Sequence, residues 1–397
     1  MNKPLKPFIE KHLARINDLR CRIHKNPELS NNESETAKLV SSVLRETGLD
    51  VTEGVGGHGV VGLLRGGKDG PCVALRADMD ALPMEEKTGH PCSSAVKGIM
   101  HACGHDVHTA MLLGAALVLS EIRDEISGSV KFIFQPAEEN NPTGGAPGMI
   151  AEGVLKNPDV ASVFGIHVWP SLKTGTVGTR EGALMGASDR LFLTVRGKGA
   201  HGSEPENGID AIAIAAQVIT ALQTIVSRNV SPLDAAVVSI GTIKGGNRYN
   251  VIADEVILEG TVRTVNPETQ EKMPSRIAKI ARGIAEGMGG ECEIEYIKGY
   301  PPLMNSPETT ERALSALEKT IGKENIIHVE KPALGGEDFS FFSREIKAQF
   351  MWLGCRPEGV EKDDMPPLHN NRFLPDEKAI PVGVEVLAAC ALEYLSK

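Results

Sequence analysis

The sequence predicts an α/β protein: a mostly parallel sheet flanked by helices, interrupted by an inserted α+β domain. Three observations lead there. Apolar runs of strand length alternate with helical stretches through Pro170, as in βαβ layering. After about Gly186 the order becomes βαββαβ, the split-βαβ or ferredoxin-like pattern. The α/β texture then resumes beyond Gly299.

The elements follow in order. Ile16, Leu19 and Ile23, then Leu39, Val43 and Leu44, recur with a 3.6-residue period and predict two helices. Asn26-Pro27 and Ser30-Asn31-Asn32 separate them. Strands are expected at 60–64, 73–75, 130–134 (ended by Pro136) and 160–168 (ended by Pro170). A helix is expected over 107–122 with Asp106 as its N-cap. In the insert, strand 190–196 precedes helix 209–226. Strands 235–243 and 255–264 flank Gly245-Gly246-Asn247, and Asn266-Pro267 opens a helix to Met288 before strand 291–297. Helix 308–321, strand 350–354 and helix 379–395 complete the chain. The expected domains are 1–186 plus 299–397, discontinuous, and 187–298, inserted. Four strands with helices on one face leave open sheet edges, so a homodimer through the insert is expected.

Composition narrows the function. The chain has 397 residues, 41% hydrophobic and 24% charged, which excludes disorder and suits two or three domains. A chain this long needs no metal to fold, so a metal here would serve chemistry. With 42 basic and 52 acidic residues the net charge is −10, which argues against nucleic acid or an anionic membrane as partner. No apolar run approaches the ~18 residues of a membrane span. Residues 1–16 lack the apolar stretch of a signal peptide, and a cytoplasmic address is expected. Seven scattered cysteines do not form a disulfide framework. Cys21, Cys72, Cys92, Cys292, Cys355 and Cys390 are expected as small buried hydrophobes.

Cys103 differs. Between His101 and His108 stand three histidines, Cys103 and Asp106. Thiolate with imidazole suits a transition metal, and the cluster lies just before a helix. The alternative is a polar loop with a helix cap. Asp78 and Asp80, Glu138 and Glu139, and His167 stand at or beyond the ends of three expected strands, where open α/β sheets bind ligands. Each alone reads as loop or core polarity; their common placement points to a site. One of two adjacent glutamates can coordinate a metal while the other takes a proton from water. His369, introduced by Pro366-Pro367, and His201, in a glycine-rich turn, are weaker candidates. Gly54 to Gly59 and Gly197 to Gly202 both fit G-x-G-x-x-G, but neither leads directly into a helix.

Taken together, Arg22 to Ser30, RADMDALP, MHACGHDVH, PAEE, GIHVWP, GKGAHG, GGEDFS and PPLHN resemble, in that order, the metal-dependent N-acyl-amino-acid amidohydrolases. That family includes hippurate hydrolases, aminoacylases and auxin-conjugate hydrolases, within the co-catalytic metallo-carboxypeptidase clan. The resemblance covers nearly the whole chain. It implies a metallo-carboxypeptidase-like catalytic domain with two divalent metal ions per subunit and a dimerising ferredoxin-like insert. Manganese or zinc is implied, with cobalt and nickel as further candidates. The implied metal ligands are Cys103, His105, Glu139, His167 and His369, with Glu138 as general base. His201 is implied to reach the partner's site and steady the oxyanion, and Asp78 to orient a metal-binding imidazole. The amidohydrolase branch is favoured by Arg76-Ala77-Asp78 in place of His-x-Asp, and by a thiolate where relatives use a bridging Asp. Asn250 and Arg263 are candidates for the substrate carboxylate.

The expected activity is hydrolysis of an N-acetyl or N-benzoyl amino acid to a carboxylic acid and a free amino acid. Two rivals stand beside it. One is a dipeptidase or aminopeptidase that reads a free amine through Glu337 or Asp338. The other is a non-catalytic metal-bearing binding protein.

Overall fold

Strands that are apolar on both faces need cover on both faces. The computed structural model, which describes residues 4–396, supplies it. Residues 1–3 and 397, part of the expected N-terminal and domain limits, lie outside that description. The chain forms two compact units: one from 4–184, Met304–Lys331 and 338–396, the other from Met185–Leu303 and Pro332–Glu337. The segment Pro332–Glu337, expected with the first unit, belongs to the second.

In the first unit an eight-stranded sheet runs in the order Asp50–Val55, Gly59–Arg65, Ser127–Gln135, Lys68–Asp78, Val160–Lys173, Lys347–Arg356, Val177–Thr179, Ile326–His328. The four central strands are mutually parallel. The Asp50–Val55/Gly59–Arg65 hairpin joins them antiparallel, and so does Val177–Thr179. Successive strand residues point to opposite faces, yet Cys72 to Asp78 and Ala348 to Arg356 are all buried, so both faces are covered.

The helix His105–Glu121 is buried at every residue to Leu119, as its near-continuous apolar sequence requires. It packs against Lys6–Lys25 and Ala379–Leu395. Gly114 lets them approach: a Cβ there would come within 2.6 Å of Val384 Cγ2 and 2.8 Å of Ile16 Cδ1.

The second unit holds a four-stranded antiparallel sheet in the order Ala236–Gly245, Glu255–Thr264, Ser188–Arg196, Glu291–Tyr300. With helices Ala211–Thr224 and Pro267–Gly287 it gives the βαββαβ topology. Leu191, Leu193, Val195, Val256 and Leu258 form its core with Ile214, Val218, Leu222 and Ile277. Asp210 and Asn266 cap the two helices by accepting backbone N–H bonds. The segment Ala211–Asn229 is long and apolar enough to cross a membrane, which run lengths alone passed over. Its stripe Ile214, Val218, Leu222 and Ile225 lies in this core.

Three expectations need correction. Cys21 and Cys92 form a disulfide, Cα–Cα 5.3 Å, while the other five cysteines are free and buried. The fold lays the loop around Cys92 on the helix Lys6–Lys25, where Ala95 N donates to Lys25 O at 2.9 Å. Asp106 is not an N-cap: Gly104 precedes the helix, and Asp106 is buried in its first turn, paired with Arg20 at 2.7 Å and His24 at 2.9 Å. The strand expected to stop at Pro170 runs on to Lys173, with a register shift that accommodates the missing proline N–H.

Candidate metal centre

Parallel strands end together, and these ends carry the polar residues. Lys68–Asp78 delivers Asp78 and Asp80, Ser127–Gln135 leads to Glu138 and Glu139, and Val160–Lys173 carries His167. The loop before His105–Glu121 brings Cys103 and His105. His369, at φ +60°, is held by its N–H to Ala102 O at 2.9 Å.

The donor atoms of Cys103, His105 and His167 lie within 4.8 Å of one another; so do those of Cys103, Glu139 and His369, and those of His105, Glu138 and Glu139. Cys103 Sγ is 3.4 Å from His167 Nε2, and His369 Nε2 is 3.0 Å from Glu139 Oε1. Each inner imidazole is oriented from behind. His105 Nδ1 lies 2.9 Å from Asp80 O and 3.1 Å from Asp80 Oδ1, and His167 Nδ1 lies 2.7 Å from Val168 O. With those nitrogens donating, both Nε2 atoms present lone pairs to the cluster, the usual arrangement of metal-binding histidines. His105 Nε2 is buried with no hydrogen-bond partner among the described residues. His108 is spent otherwise: Nδ1 donates to Asp78 at 2.7 Å and Nε2 accepts from Val168 N at 2.9 Å.

Electrostatics ask for a cation. Burial, then Glu139, Glu138 and Asp78, hold the Cys103 thiol well above its ordinary range. Burial pulls His105 down, but Asp78, Asp80 and Glu139 override it and push it up to about 10. Negative charge adds to the effect of burial on the thiol and by itself raises the imidazole, and a bound cation would oppose that charge, favouring the thiolate and the neutral imidazole. The soft and nitrogen donors, the orphaned Nε2 and the surplus charge fit divalent transition metals.

The other expected residues sort by unit. Asp78 accepts from His108 and from Arg76 Nη1 at 2.7 Å, and its Oδ2 is 3.8 Å from His105 Nε2. Asp80, two residues on, is the carboxylate that holds His105. In the second unit His201 is exposed, with Nδ1 2.7 Å from Ser203 Oγ. Asn250 lies beside it, since Gly202 N donates to Asn250 O at 2.9 Å and Val251 pairs with His201. Arg263 is half-buried on another strand, opposite Val237. Asp338, one of the two residues the peptidase rival would use to read a free amine, is occupied: Arg76 Nη2 at 2.7 Å, Gln135 Nε2 at 2.7 Å, Gly145 N at 2.9 Å and Ala146 N at 3.1 Å all donate to it. Asp80 is legible at its strand end, though with no role assigned to it, whereas the pairing of Asp338 with Gln135, Gly145 and Ala146 leaves no local signal.

Residues 74–393 match Peptidase family M20/M25/M40. The chain belongs to that family. It is 40% identical to N-acetylcysteine deacetylase of Bacillus subtilis (strain 168) over 383 residues, 96% of this chain and 97% of the relative. It is 41% identical to thermostable carboxypeptidase 2 of Saccharolobus solfataricus over 384 residues, 96% of each chain. Among solved structures it resembles the Bacillus subtilis YXEP protein, a dinuclear metal binding peptidase of family M20, at TM-score 0.82 and 35% identity, covering 98% and 99% of the two chains. As a member of family M20/M25/M40 the chain is a hydrolase of amide bonds, and its mostly parallel sheet with flanking helices is the architecture of that family.

Proposed function

We propose that this hydrolase cleaves N-acyl amino acids, of the N-acetyl or N-benzoyl type, with two divalent cations, manganese or zinc, at the centre built by Cys103. The observation that carries the reading is Glu138 next to Glu139 in that donor set: one carboxylate to ligate, one to move protons. Whole-length similarity to N-acetylcysteine deacetylase supports the substrate class.

Cys103, His105, Glu139, His167 and His369 hold the cations. When bound, such cations acidify water and polarise a carbonyl. Glu138, 6% exposed, takes the proton of the attacking water and returns it to the leaving amine. Asp338 N reaches Glu138 Oε1 at 3.4 Å, and Glu138 N donates to Asp80 at 3.1 Å, so the base is held at both ends. Asp78 fixes His108 behind the centre. His201 of a partner subunit donates to the developing oxyanion, a contact commonly worth ~3 kcal/mol. Asn250 and Arg263 receive the substrate carboxylate. The protein is a homodimer through its second unit, whose strand Ala236–Gly245 is an exposed sheet edge.

The test is free amino acid release from a panel of N-acyl amino acids with Mn²⁺ or Zn²⁺, then with chelator. Chelator-sensitive release is expected. Turnover of free-amine dipeptides alone would replace this reading with a peptidase one. Sedimentation as a monomer at micromolar concentration would remove the shared-site role of His201.

A further inference from the structure

Glu33 stands at the N-cap position of the helix Ser34–Glu46, yet its side chain does not cap that helix. Glu28 does so instead, accepting from Glu35 N at 3.1 Å and Thr36 N at 2.8 Å. Glu33 is fully buried and turned inward. Its Oε1 accepts from Asn31 N at 2.9 Å and from Ala137 N at 2.8 Å. Its Oε2 is buried with no hydrogen-bond partner among the described residues. Burying a carboxyl so incompletely satisfied is costly, and an ordinary helix start does not require it.

Ala137 supplies the reason. It lies at φ +57°, a left-handed conformation that strains any residue with a Cβ. It also immediately precedes Glu138 and Glu139. The next two amides are held by the other buried carboxylate nearby: Glu138 N donates to Asp80 Oδ1 at 3.1 Å and Glu139 N to Asp80 Oδ2 at 2.9 Å. Three successive N–H groups thus fall on two carboxyls, while the side chains of Glu138 and Glu139 reach the donor cluster. Asp80 thus accepts the backbone N–H groups of residues 138 and 139. Glu33 accepts that of the strained residue just before them.

We propose that Glu33 is a positioning residue: by accepting the Ala137 amide it holds that residue left-handed and aims Glu138 and Glu139 at the metal donors. This rests on the roles proposed above for those two glutamates. Burial, then the charge of Asp80, pushes Glu33 up to about 7, so glutamine is a close mimic below neutral pH.

The experiment compares Glu33→Ala, Glu33→Gln and the double variant Glu33→Ala with Ala137→Gly. Two readouts are taken: kcat and KM on an N-acetyl amino acid, and Co²⁺ affinity and visible spectrum by competition with a chelator. Glu33→Ala should lower kcat by ~10-fold or more, shift KM less than ~3-fold and weaken Co²⁺ with an altered spectrum. Glu33→Gln should stay within ~2-fold of wild type, because its amide oxygen accepts the same N–H. Glycine reaches positive φ without strain, so Ala137→Gly should restore ~3-fold or more of the lost kcat on the Glu33→Ala background. If Glu33→Ala does not fold, Glu33→Asp, one methylene too short to reach Ala137, replaces it in both comparisons. Unchanged kcat and Co²⁺ affinity without the acceptor, a glutamine variant as defective as the alanine one, or no recovery with glycine would each overturn the proposal. A wild-type enzyme silent on every N-acyl amino acid would instead sink the substrate reading, and the Co²⁺ arm would still decide Glu33.

Discussion

Gly104 separates Cys103 from His105, and replacing it with alanine tests whether the metal loop is built on that glycine. Its φ is +89°, and a Cβ there would lie 2.4 Å from Val168 Cγ2. The left-handed backbone costs an L-residue ~1–2 kcal/mol. Val168 is fully buried and β-branched, so its methyl has nowhere to turn, and such overpacking costs ~1–3 kcal/mol. The sum for Gly104→Ala is ~2–5 kcal/mol. Val168 also accepts from His167 and donates to His108, so relief of the clash displaces a candidate ligand, and metal affinity falls too. Urea unfolding of the chelator-treated protein can be followed by tryptophan fluorescence. Both tryptophans, Trp169 and Trp352, lie in the first unit, stacked 4.1 Å apart, so the signal reports that unit alone. Adding Val168→Ala removes the offending methyl and should leave only the backbone cost, a coupling of at least ~1 kcal/mol. A single-variant cost below ~1 kcal/mol, or purely additive effects, would refute the reasoning.

The remaining expectations are brief. Glu138→Gln should keep its metal content by elemental analysis and lose ~10²–10⁴ of kcat; retained turnover would move the base elsewhere. Cys103→Ala should purify with less metal than wild type, and an unchanged content would take the thiolate out of the centre. For His24, burial lowers the pKa, but Asp106 and Glu86 override it and hold it up at about 9. The unfolded value is near 6.5, so this pairing stabilises fully below that pH and is lost as pH rises through about 9. The unfolding midpoint should therefore drop from pH 7 to 10 in wild type and less in His24→Gln; parallel profiles would contradict it. Cys21 and Cys92 are 71 residues apart, and closing such a loop is worth ~4 kcal/mol in the chain-entropy account. Reduction, or serine at both positions, should cost about that much by urea unfolding, and an unchanged midpoint would tell against the cross-link.

Much of the architecture is legible in local sequence because its signals are local. Helix 379–395 and strand 255–264 coincide with Ala379–Leu395 and Glu255–Thr264, since unbroken apolar periodicity has one secondary-structure solution. Asn266-Pro267 starts its helix where a cap followed by proline must. Gly104 shows the limit. An acid after the glycine resembles a cap, but the αL glycine itself turns the chain, and Asp106 is drawn inward by Arg20 and His24.

Local pattern carries the layer order and the residue types of the candidate centre: Cys103, His105, Glu138, Glu139 and His167 stand at strand ends or a helix start, positions readable from neighbours alone. Their supports come from long-range contacts instead. Asp338 meets Arg76 across 262 residues, Glu33 meets Ala137 across 104, and Cys21 meets Cys92 across 71. Such a partner leaves no trace in local pattern, because a buried carboxyl or thiol tolerates whatever donor the fold delivers. Burial makes the pairing obligatory, and only the folded chain specifies with whom.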